Sequence, residues 1–230
     1  MAIALAACGG PTPSGPVATG DPIAVANDLR YACNVFPFDP AIARGAGNAE
    51  AGVDDLASTL RAALAPGGLP DDGIAMPAAG WHLTGQDATS AEFVNFANRR
   101  VAYIQFERVG SGEWRVSGWG NCQPQIVVQD GLGVATWIPD PAEPAPGPGS
   151  TSFMALVTER ACASGRSADG RIVGPRVLLL EDRVLVVFAV RPRPGGQNCQ
   201  GNPSSRVRVD LGEPLGDREL VDPALLFGPS

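Results

Sequence analysis

The chain has 230 residues and a net charge of −7, with 44% hydrophobic and 18% charged residues. That apolar share builds a packed core and excludes a charge-driven disordered chain, while the acidic balance excludes the basic footprint of a nucleic-acid binder. All 17 basic residues are Arg and the only histidine is His82, which excludes lysine Schiff-base and P-loop chemistry and multi-histidine metal sites within one chain.

The N-terminus reads as an address. A short apolar stretch ends in Leu5-Ala6-Ala7-Cys8. These residues resemble the bacterial lipobox, in which the Cys thiol receives a diacylglycerol and the leader is cut before it. The resemblance implies lipidation at Cys8 and the membrane as a partner through that lipid anchor. No basic residue precedes Cys8, so this reading places the translation start upstream or takes the chain as trimmed. Pro11 to Gly20 is rich in Pro, Gly, Ser and Thr. Residues 1–20 are therefore expected to be a lipoprotein signal remnant and flexible tether. Later apolar runs fall short of the ~18–20 residues of a membrane span; the longest, Val184–Val190, has the length of a strand.

Residues 21–123 are expected to form a small α+β domain. An extended segment leads to Cys33, and Phe36-Pro37-Phe38-Asp39-Pro40 makes a rigid loop. Val53, Leu56, Ala57, Leu60 and Leu64 recur at three- and four-residue spacing, which predicts a helix over Glu50–Ala65 with Asn48 or a neighbour as its cap. Pro66-Gly67-Gly68 stops it. Four alternating segments follow, at Trp81–Thr84, Glu92–Phe96, Val101–Glu107 and Glu113–Trp119. Their period and turns predict an antiparallel meander.

Residues 124–230 read as all-β. Strands are predicted at Gln125–Gln129, Val134–Ile138, Ser152–Glu159, Arg176–Leu180, Arg183–Val190, Arg206–Leu211 and Glu219–Asp222. This spacing points to an immunoglobulin-like β-sandwich. The Pro-rich stretch 139–150 is read as a loop within it.

Five cysteines are present. With Cys8 set aside for lipid, Cys33, Cys122, Cys162 and Cys199 form an even set that reads as two disulfides in an exported protein. Three connectivities are open. Cys33–Cys122 with Cys162–Cys199 keeps each bridge inside one half of the chain.

A bridge at Cys162–Cys199 would draw Glu159, Arg160, Gln200 and Asn202 into a small polar pocket, or into a buried ion pair with turn caps. Trp81, Trp114, Trp119 and Trp137 could form a sugar-stacking platform, although each sits in an alternating strand that packs a core. Asp71-Asp72-Gly73 reads as a turn, and Arg218 as an anchor to a carboxylate such as Asp222. Nothing patterns as a catalytic triad around His82.

The segments Glu159 to Gly165, Cys199 to Pro203, Glu213 to Arg218 and Gly118 to Cys122 resemble uncharacterised secreted lipoproteins of high-GC bacteria. The resemblance implies location and disulfides and carries no activity. The expected function is therefore a membrane-anchored, non-enzymatic binding or envelope-associated module, without cofactor, acting on an unidentified protein or glycan. Two alternatives stand. A secreted carboxylate-dependent hydrolase needs two carboxyls facing each other across a cleft. A carbohydrate- or peptidoglycan-binding module needs coplanar exposed Trp rings.

Overall fold

The computed structural model describes residues 29–96, 101–110, 112–129 and 131–227. The expected lipidation site Cys8 and the tether lie outside them. Twelve strands and one α-helix are present among these residues, which are mostly antiparallel β.

Helix α1 spans Asp55–Leu64. Asp54 caps it, its Oδ1 accepting the Ala57 N–H at 2.7 Å. Leu56, Ala57, Leu60 and Ala63 are buried. The predicted start at Glu50 is corrected, because the Glu50 carboxylate accepts the N–H groups of Gly80 at 2.9 Å and Trp81 at 3.1 Å. That contact holds residues 49–51 in a separate 3-10 turn. Val53 therefore precedes the cap and is fully exposed.

Strands β2 (His82–Gln86), β3 (Ser90–Asn95), β4 (Val101–Val109) and β5 (Glu113–Cys122) form the expected meander in the order β2-β3-β4-β5. Alternation sends Ala91, Phe93, Ala102, Ile104 and Phe106 into one cluster with Leu56, Leu60 and Trp81. Val94, Val101 and Tyr103 point the other way. They join Tyr31, Phe38, Ile126, Val134, Val187 and Ala189 in a second cluster that links the two halves of the chain. The short strands β1 (Tyr31–Ala32) and β6 (Gln125–Ile126) pair across the same boundary.

The second half forms one curled six-stranded sheet. Its strands are β7 (Gly133–Pro139), β8 (Ser152–Glu159), β9 (Ile172–Leu179), β10 (Arg183–Val190), β11 (Ser205–Asp210) and β12 (Glu219–Val221). The expected immunoglobulin-like pair of facing sheets is not how these strands join. Each hydrogen-bonds into the order β11-β8-β7-β10-β12, with β9 on β10. Strand spacing fixes neither the partner nor the number of sheets, so one curled sheet and two flat ones read alike in sequence. The stretch 139–150 closes the β7–β8 hairpin.

β10 is central. Val184, Val186, Phe188 and Val190 enter a cluster with Trp137, Phe153, Val157 and Val209, while Val187 and Ala189 enter the cluster shared with the first half. Both faces of β10 are covered, which explains why its sequence is apolar without alternation.

Both predicted disulfides are formed. Cys33 bridges Cys122 with 5.7 Å between Cα atoms, and Cys162 bridges Cys199 with 4.5 Å. Bridges of this kind mark an oxidising, extracytoplasmic environment. No helix among the described residues is long and apolar enough to cross a membrane.

Candidate binding groove

A groove of about 940 Å³ opens where β1, the β9–β10 turn and the C-terminal segment meet. That is near the top of the roughly 300–1,000 Å³ range of small-molecule sites. One wall is Leu178, Leu180 and Leu185. Pro40, Ala43 and Arg44 of the 3-10 turn Pro40–Arg44 also line the groove, with Asp39, which caps the turn through an Oδ1 that accepts the Ala41 N–H at 2.7 Å. Tyr31, Pro223, Leu226 and Phe227 also line it.

Aromatic packing anchors the C-terminal side. The Phe227 ring lies 5.0 Å from Tyr31 and 5.7 Å from Phe96, centre to centre. The Tyr31 hydroxyl donates to the Pro223 carbonyl at 2.8 Å. Burial, with the negative charge of Asp222 behind it, pushes that hydroxyl above the usual phenol range.

Asp222 sits behind the groove. Its Oδ2 accepts the Trp137 N–H and its Oδ1 the Ala224 N–H, at 2.8 and 2.9 Å. Burial pushes its carboxyl up to about 6, against the pull of those two N–H groups and of Arg160. Arg160 donates to the Ala224 carbonyl at 3.2 Å and to Gln123 Oε1 at 2.9 Å.

The residues of the expected polar pocket divide. Glu159 and Arg160 are consecutive at the end of β8, so their side chains leave on opposite faces. Glu159 is buried and binds Arg171 through both carboxylate oxygens. Asn202 donates to the carbonyls of Glu159 at 2.9 Å and Ala161 at 2.6 Å, which caps the loop. Gln200 is exposed and has no hydrogen bond to this group among the described residues. Arg160 belongs to the Asp222 cluster instead. Arg218 pairs with Glu213 at 2.6 Å, not with Asp222.

A second depression of about 540 Å³ is lined by Asn48, Asp54, His82 and Gln86. His82 Nε2 lies 3.2 Å from the Gly45 carbonyl, and its ring stands edge-on to Phe96. Two carboxyls are raised, Asp222 and Glu92. Glu92 is fully buried on β3 under the 34–36 loop, accepting the Val35 N–H, with the Phe36 ring seated on Gly85. Neither carboxyl lines either cavity, and they share no partner. The groove itself is lined by two other carboxyls, Asp39 and Asp182, and the second is held low by Arg183.

Trp81, Trp114 and Trp137 are buried. Trp119 is partly buried against the helix cluster and donates its indole N–H to Asp72 Oδ2 at 3.0 Å. A platform of coplanar exposed Trp rings is therefore not formed.

No protein-family model, curated protein or solved structure matches this chain. The site is thus read from its own residues. Sequence reasoning missed the groove, though a signal was there. Leu178-Leu179-Leu180 and Leu225-Leu226-Phe227 carry more consecutive apolar residues than one buried face accepts. Leu179, Leu180, Leu225 and Leu226 all remain 41–51% exposed.

Proposed function

We propose that the chain is an extracytoplasmic lipoprotein, anchored through Cys8, that works as a non-enzymatic binding module with the groove as its ligand site. The groove carries this reading. It joins an apolar wall to a charged rim, the usual composition of a binding site. The lipobox-like Leu5-Ala6-Ala7-Cys8 supports the anchor, and the disulfides support the compartment. The resemblance to secreted lipoproteins of high-GC bacteria points to the same location.

The test is the fluorescence of N-phenylnaphthylamine, an uncharged dye that brightens in apolar sites. The wild-type chain is expected to bind it. Leu180→Glu is expected to abolish binding with an unchanged melting temperature, since Leu180 is 46% exposed. Equal binding by both proteins would contradict the groove as the site.

A further inference from the structure

The charges lining the groove fall into two kinds. Asp182 and Arg183, at the β9–β10 turn, neutralise each other through contacts of 2.9 and 2.5 Å. Asp39 and Arg44 do not. The Asp39 carboxylate accepts only the Ala41 N–H, and Arg44 has no hydrogen bond or ion pair among the described residues. The two flank one short 3-10 turn, Asp39 as its cap and Arg44 as its last residue. The groove lining thus presents, among the described residues, one charge of each sign without an ion-pair partner.

This pattern discriminates among amphiphiles. A fatty acid carries only an anion, which Arg44 attracts and Asp39 repels. An uncharged lipid uses neither group. A head bearing both signs satisfies both. We infer that the groove takes a zwitterionic amphiphile, with its acyl chain along Leu178, Leu180 and Phe227, its anionic group at Arg44 and its ammonium at Asp39. The inference rests on the groove reading proposed above and names its ligand class. Leu29 lines the groove, and residues 9–28 join it to Cys8. A segment of that length reaches ~70 Å at most. A chain anchored at Cys8 therefore holds the groove within reach of phospholipid head groups.

The experiment is displacement of bound N-phenylnaphthylamine from the full chain by lysophosphatidylcholine below its micelle concentration. Displacement is expected, with an uncharged monoacylglycerol of the same chain weaker by about tenfold. The double variant Asp39→Asn/Arg44→Ala is expected to bind the lysolipid as weakly as wild type binds the monoacylglycerol. Asn at position 39 keeps a capping oxygen, so the turn survives, and the melting temperature checks this. Displacement by phosphatidylcholine vesicles as well identifies the bilayer as the source, and displacement by lysolipid alone identifies a free amphiphile; both support the inference. Dye that binds but is not displaced, or equal displacement by the charged and uncharged lipids, overturns the head-group assignment and leaves the groove reading standing. Failure of the dye itself to bind sinks the groove reading instead.

Discussion

The backbone N–H of Trp137 donates to Asp222 Oδ2 at 2.8 Å, and this bond closes a seam in the central sheet. Along one edge of β10, Arg183–Leu185 pair in parallel with β12, and Phe188–Val190 pair antiparallel with β7. Asp222 follows β12 directly and reaches across the change of partner. Asp222→Ala removes the acceptor of two backbone N–H groups. A loss of about 2–4 kcal/mol is expected in a denaturant titration, and less for Asp222→Asn, which keeps one acceptor.

The same carboxyl makes stability depend on pH. Its value rises from an ordinary 3.8 to about 6 on folding, so the folded chain holds the proton more tightly than the unfolded one. Its contribution is complete below about pH 3.8 and is lost as pH rises through about 6. Melting temperatures are expected to fall over that window, with a shallower slope in Asp222→Asn.

Glu92 acts in the same direction. Burial raises its carboxyl against the hydrogen bonds from Asn34, Val35 and Thr84, so ionisation opposes folding as pH rises above the usual carboxylate range. Glu92→Gln keeps an acceptor for Val35 and removes the charge. The variant is expected to gain melting temperature over wild type at pH 7 and to match it near pH 4. An equal difference at both pH values would mean that packing, not charge, sets the effect.

The two disulfides are expected to separate stability from binding. Their sequence separations of 89 and 37 residues each correspond to about 4–5 kcal/mol in the chain-entropy picture. Cys33 lies two residues from Tyr31 in the groove, and Cys162–Cys199 closes loops elsewhere. Replacing Cys33 and Cys122 with Ala should weaken dye binding, and replacing Cys162 and Cys199 should leave it intact in the folded fraction.

Much of this architecture was legible where the signal is local. The spacing of Leu56, Ala57 and Leu60 gave the buried face of α1, and Leu60→Ala is expected to cost about 2–5 kcal/mol in a thermal melt. The run Val184–Val190 gave β10, and cysteine parity gave two bridges while leaving their pairing open among three connectivities. What stayed hidden depends on distant partners. Alternation in Glu219–Val221 does not reveal that this strand lies parallel to Arg183–Leu185. Nor does the sequence order show that Arg160 meets the segment after β12 while Glu159 meets Arg171. Arg44 became a candidate only when folding left it beside the Leu178–Leu180 wall.

The central claim is a lipid-anchored binding module outside the cytoplasm. Its most direct test is the intact, non-reduced mass of the protein from a membrane fraction, expressed from its native start. The account predicts a chain that begins at Cys8, heavier by a diacylglycerol and lighter by the hydrogens of two disulfides. A chain that keeps Met1 and carries free thiols would contradict it.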